Sequence, residues 1–239
     1  MGLVFSFAIQ NSALAQSLED AQHSYVAGEF VDAAQIAKAL GTSEGYTLAA
    51  RSLTIYARYI AAEEDARMLL NEAIELAQAA VEHEPKNAHA YMALTKAFGR
   101  YSHTISKIKA MNENLADKSL SAIESALQIN PDMAPAHVSL GRWHVGIVAR
   151  MGSLLAGATF GAKKKTAISA FERALELGLE EKEDYLDLAI GYIALDKDKY
   201  RDKVHELIKQ AIELPVRDAH ERIIHQRAVN RLAALEADS

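Results

Sequence analysis

The chemistry this chain could perform shows first in three short stretches. HERIIH, from His220 to His225, sets two imidazoles around a glutamate, the components of a zinc protease site. Such a site needs histidines four apart on one helical face; at a spacing of five the second ring swings about 140° around the axis. GATFGAKKKT, from Gly157 to Thr166, imitates a phosphate-binding loop, but three residues separate its glycines and Ala162 intervenes before Lys163. The loop requires four residues and a lysine directly after the second glycine, so that backbone N–H groups can cradle phosphate. DKDKYRDK, from Asp196 to Lys203, lacks the glycine and closing glutamate of a calcium loop and reads as a solvated turn. With no cysteine in the chain, disulfides, thiol catalysis and Cys-based zinc sites are excluded. No Ser/His/Asp constellation stands out, and the chain reads as non-enzymatic, with no cofactor or metal. What remains is anion capture by Lys96, Arg100 and Arg142, since a guanidinium takes a carboxylate or phosphate through two parallel hydrogen bonds.

A repeat positions those cations. YMALTKAF (Tyr91–Phe98), HVSLGRWH (His137–His144) and YLDLAIGY (Tyr185–Tyr192) each place a ring, then Leu, a small or modest residue, and another ring. The sets are Tyr91/Leu94/Thr95/Phe98, His137/Leu140/Gly141/His144 and Tyr185/Leu188/Ala189/Tyr192, with a weaker copy at Tyr46/Ala49/Ala50/Leu53. Spacings of three and four put each set on one helical stripe, and the small residue lets a neighbouring helix approach. In these positions His137 and His144 read as packing residues. Ahead of the copies stand AIELAQAAVEHEP, SLSAIESALQINP and AISAFERALELG, apolar helical stripes closed by Pro85, Pro131 and Gly178. GEFVDAAQIA, from Gly28 to Ala37, reads as an earlier hairpin turn.

These residues resemble the tetratricopeptide repeat. The resemblance implies an all-α, right-handed α-solenoid of stacked hairpins, four or five in number, whose first helices line a concave groove. From Tyr46 to Tyr91 is 45 residues, from Tyr91 to His137 is 46 and from His137 to Tyr185 is 48, against about 34 in a standard repeat. The surplus predicts lengthened hairpins and a deeper groove. The solenoid is expected over residues 16–239, with a terminal capping helix from about Arg217 whose charges suit a water-facing end.

From about Leu69 to Pro215 the likeness narrows. LGRW (Leu140–Trp143), Phe160-Gly161 ahead of AISAFERALEL, and FGRYSHTISKI (Phe98–Ile108) leading to INP (Ile129–Pro131) resemble the regulator of microtubule dynamics family, bacterial relatives included. That family has a lengthened tetratricopeptide-like domain, and its helical scaffold and an apolar groove are what the resemblance implies here. The chain departs from the eukaryotic members at Ala162–Lys165, where they usually carry a proline-containing turn.

In arrays of this type, ligand-facing positions lie two before and two or six after the repeat's Leu. These are Met92, Lys96 and Arg100 around Leu94, then Val138, Arg142 and Gly146 around Leu140, then Leu186, Ile190 and Ala194 around Leu188. The predicted groove is basic at its middle and apolar toward its C-terminal side. A protein or peptide partner with an acidic end suits it; a lipid or other hydrophobic anionic ligand is the alternative. Alanine at Lys96 and Arg142 is expected to weaken ligand binding at nearly constant melting temperature. Gly146–Gly161 is the most apolar internal stretch, read either as a buried helix extension or as a flap or membrane-touching segment. A net charge of −6 argues against nucleic acid as partner. The apolar run Leu3–Ile9 followed by Ala13-Leu14-Ala15 reads as a signal peptide over residues 1–15 and predicts a periplasmic or otherwise exported protein. No later stretch approaches the roughly 20 apolar residues of a membrane span.

Overall fold

Helix-favouring composition leaves thirteen helices and no strand among the residues described, 17–237 of the computed structural model. They are α1 (Leu18–Ala27), α2 (Phe30–Ala39), α3 (Ser43–Tyr59), α4 (Glu63–His83), α5 (Ala88–Tyr101), α6 (Lys107–Asn112) and α7 (Leu115–Ile129). Then follow α8 (Ala134–Met151), α9 (Ser153–Phe160), α10 (Lys164–Leu177), α11 (Lys182–Asp196), α12 (Arg201–Glu213) and α13 (Ala219–Ala237). The signal peptide expected at residues 1–15 lies outside the described residues.

Local chemistry sets the helix starts. Ser17 and Asp20 form a reciprocal cap on α1, Oγ accepting from the Asp20 N–H and the carboxylate accepting from the Ser17 N–H. Thr42 caps α3, and Asn87 caps α5 by accepting from the N–H groups of His89 and Ala90. Gly28 ends α1 in the left-handed conformation at φ 93°.

The helices pair as hairpins α1–α2, α3–α4, α5–α7, α8–α10 and α11–α12, each stacked on the next, with α13 laid over α12. This is an α-solenoid of the tetratricopeptide type. Alanines of the predicted second-helix stripes, Ala73, Ala77, Ala80, Ala126, Ala167 and Ala174, are fully buried, which brings backbones together. Phe171 of α10 fills a slot between Gly141 of α8 and Gly191 of α11; a Cβ built at either glycine would stand 2.2 or 2.3 Å from the ring. Ser43 stitches consecutive hairpins, donating to Ala80 O and accepting from Asn87 Nδ2. The buried Lys182 ammonium donates to Ala211, Ile212 and Leu214 carbonyls, closing the end of α12.

The surplus residues of the repeat are distributed differently from the expectation. The α3–α4 hairpin is built from lengthened helices, of 17 and 21 residues, and α8 reaches 18. In the next two hairpins the extra residues form separate tip helices, α6 and α9. Left-handed or extended breaks cause this: Asn114 at φ 53° parts α6 from α7, and Gly152 and Gly161, at φ 79° and 67°, bracket α9. The predicted deepening of the groove is therefore replaced by two projecting turns.

The terminal helix α13 buries Ala219, His220, Glu221, Ile224 and Ala228 along one face. Ala219 joins Tyr25, Phe30, Ala33 and Ile55 in one apolar cluster, so the curl of the array returns α13 to the first two hairpins.

Candidate functional site

That curl turns α3, α5, α8 and α11 toward one another on the concave side, and a carboxylate of α11 ties α3, α5 and α13 to it. Glu183 Oε2 accepts from Lys96 Nζ at 2.8 Å, while Oε1 accepts from Tyr59 Oη at 3.2 Å and Arg100 Nη2 at 3.4 Å. Arg58 Nη1 stands 3.7 Å away and His220 Nε2 4.0 Å away. Burial alone would raise the Glu183 pKa; Lys96, then His220 and Arg58, reverse this and hold it well below the usual carboxylate range. Nearer the rim Arg51 pairs with Glu181 at 3.2 Å. Two further acids share the interior. Burial pushes Asp184 up to about 7 against the pull of Lys96, and burial likewise raises Asp187, with Arg142 its strongest opposing influence.

Beside this cluster α3, α11 and α13 leave a cleft of about 320 Å³. Leu186, Ile190 and Ile224 supply apolar surface, and Arg58, Arg227, Arg231 and Asn230 supply donors. Two guanidiniums flank the Tyr59 ring, Arg58 at 4.8 Å and Arg227 at 5.3 Å from its centroid. Among the described residues Arg58 Nη1 and Arg231 Nη1 are buried without a hydrogen-bond partner, Arg58 Nη1 having its ion-pair contact to Glu183 at 3.7 Å. Buried donors of this kind are costly unless something accepts from them. Burial, then the like charge of Arg227, depresses the Arg231 pKa. The chemical capacity of the cleft is to take an anionic group beside an apolar one.

The predicted groove residues divide. Leu186 and Ile190 line the cleft. Lys96 and Arg100 lie on the concave side, but their charges meet Glu183 of the same chain. Arg142 is half-buried and faces Asp187 electrostatically. Met92 and Val138 must be corrected. Met92 packs with Ala88, Ala126, Met133 and Ala136, and Val138, 1% exposed, joins the α8–α10–α11 core. In α5 and α8 close stacking of the hairpins turns the position two before the Leu into the seam between them, whereas the equivalent Leu186 of α11 stays at the cleft.

Arg58, Tyr59, Glu183, Asp187, Arg227, Asn230 and Arg231 went unforeseen. One signal was available for the cluster: Arg51 stands two residues after Ala49 in the weak repeat, the same register as Lys96 and Arg142. Three successive first helices thus present a cation at that register, facing Glu181, Glu183 and Asp187 on the fourth. The residues of α13 carry no repeat signature, so periodicity could not place them.

The candidate motifs find structural places. His144 packs on Trp143 at 5.0 Å and accepts from the Lys163 N–H, fixing the turn into α10, while half-buried His137 meets Pro131 O at 2.8 Å. His220 is buried beside Tyr59. Among the described residues no three His, Cys, Asp or Glu side chains converge in a metal-holding group.

Comparison with known proteins agrees with this architecture. A thermophilic TPR protein of Thermus thermophilus superposes with a TM-score of 0.60 at 20% sequence identity, covering 89% of this chain and 97% of its own. No curated protein matches this sequence significantly. Such a fold serves in general as a protein-interaction scaffold and is generally non-enzymatic. The family model described as regulator of microtubule dynamics protein 1-3 matches residues 13–236, nearly the whole array and its closing helix, and the chain belongs to that family.

Proposed function

We propose that this protein is a non-enzymatic scaffold that holds the carboxylate-bearing end of a peptide or protein partner in the cleft between α3, α11 and α13. One observation carries the reading: three guanidiniums converge there next to Leu186, Ile190 and Ile224, and among the described residues Arg58 Nη1, ion-paired with Glu183 at 3.7 Å, and Arg231 Nη1 are buried without a hydrogen-bond acceptor. A terminal carboxylate would satisfy those donors bidentately while its side chain covers the apolar surface. The remainder of the concave side is occupied by the Glu183 cluster, so recognition is local and does not run along the whole groove. At about 320 Å³ the cleft sits at the small end of ligand pockets. That size favours a peptide end over the acyl chains of a lipid.

The test is fluorescence anisotropy with labelled peptides ending in an apolar residue, each as free acid and as C-terminal amide. Free acids are expected to bind and amides to lose about tenfold or more, the scale of one charge-assisted contact. Arg227→Ala with Arg231→Ala should reproduce that loss on the free acid. Equal binding of acid and amide sinks the reading.

A further inference from the structure

The tip helices α6 and α9 form a second surface, independent of the cleft. Large apolar side chains stand in solvent on both: Ile108 and Met111 on α6 are 73% and 66% exposed, Leu154 and Leu155 on α9 90% and 52%. Both tips lie at one edge of the array, since α5 and α8 are first helices of consecutive hairpins and end there. The first turns of α7 pack on α8 and α9 through Ala116, Leu120, Trp143, Ile147 and Phe160, and Trp143 Nε1 donates to Ala116 O. Arg150, at the end of α8, acts electrostatically on His103 just past α5. The helices are anchored by their other faces: Ala156 is fully buried, and Ala110 packs on the neighbouring core. The apolar groups are thus held outward by a firm base.

The two tip segments are locally basic. The chain carries −6 overall, yet no Asp or Glu occurs between Glu84 and Glu113 or between Asp132 and Glu172. Those two stretches contain the tip helices, with Lys107, Lys109, Arg150, Lys163 and Lys165 exposed around them. Glu113 pairs with Lys109 at 3.7 Å, and the next acid, Asp117, is exposed in the first turn of α7.

We infer that this edge docks on an anionic lipid bilayer, the leucines and Ile108 entering the headgroup boundary and the lysines and Arg150 meeting lipid phosphates. Exposed apolar side chains ringed by cations match that interface in both polarity and sign. No helix among the described residues is long and apolar enough to cross a membrane, so contact is at the surface.

Co-sedimentation of the full chain with vesicles tests this. Binding is expected to mixed phosphatidylcholine–phosphatidylglycerol vesicles, and about tenfold less to phosphatidylcholine alone. Leu154→Ser with Leu155→Ser, and separately Lys107→Glu with Lys165→Glu, should each cut binding about tenfold with unchanged circular dichroism and peptide binding in the cleft. Equal binding to neutral vesicles, no binding, or full binding by the leucine variant overturns the inference. So does a parent chain that self-associates through this edge, becomes monomeric in the leucine variant and never sediments with lipid.

Discussion

Glu183→Gln preserves side-chain volume and removes one charge, which makes it a direct probe of what closes the array. In the parent the carboxylate is 8% exposed and receives Lys96, Arg100 and Tyr59 while facing Arg58 and His220. A neutral amide leaves Lys96, Arg58 and Arg100 repelling one another in a partly desolvated space. Removing one partner of a buried ion pair costs about 3–5 kcal/mol. For a chain of this length each kcal/mol moves the melting midpoint by roughly 2–4 °C, so a fall of roughly 6–20 °C is expected. The matched control is Glu181→Gln, whose partner Arg51 has a side chain 40% exposed. Such a surface pair contributes about 1 kcal/mol or less. Thermal melts by circular dichroism at neutral pH measure both. The pH dependence has a definite sign: Glu183 has a depressed folded-state pKa, so its stabilisation is complete above its unfolded value near about 4.3 and is lost as pH falls toward the folded one. The variant should therefore show a shallower loss of stability in acid. Should Glu183→Gln melt within a few degrees of the control, the argument that this carboxylate joins the concave helices is wrong.

Two other outcomes follow from neighbouring residues. Asp184 has its pKa pushed up to about 7 by burial, so the parent loses stability as pH rises from about 4 through 7; Asp184→Asn should remove that loss and gain up to about 4 kcal/mol at pH 8, measured by urea titration across pH. Gly191→Ala drives a methyl into the Phe171 ring and should cost about 1–3 kcal/mol, part of which Phe171→Leu in the same chain restores. The placement of Lys96 also revises the expectation attached to it. Lys96→Ala removes the shortest contact to Glu183, at 2.8 Å, and will lower the melting temperature as well as alter the concave side.

Much of the architecture was legible in the linear chain. Rings at spacings of three and four, with Gly141 or Ala189 between them, could only pack as close antiparallel helices, because those small residues mark where a neighbour enters. The Phe171 slot shows that logic working at atomic scale, although its second wall, Gly191, lies outside the repeat stripe. The surplus residues were countable but their shape was not. Whether they lengthen helices, as in α3 and α4, or fold into tips, as at α6 and α9, depends on breaks at Asn114, Gly152 and Gly161 that a period cannot resolve. The cations Lys96, Arg100 and Arg142 could be assigned to the concave side by register alone, since a helix presents every third or fourth residue to one face. Which charges they meet could not. Glu183 is far from them in sequence, and only the closing curvature of the stacked hairpins, set by how tightly each small-residue seam packs, carries α11 and α13 back to α3 and α5. The same curvature decides that Met92 is sealed in a seam and that Arg227 and Arg231 face a cleft. Periodicity therefore determined the elements and their faces, while accumulated rotation from one hairpin to the next determined which faces meet.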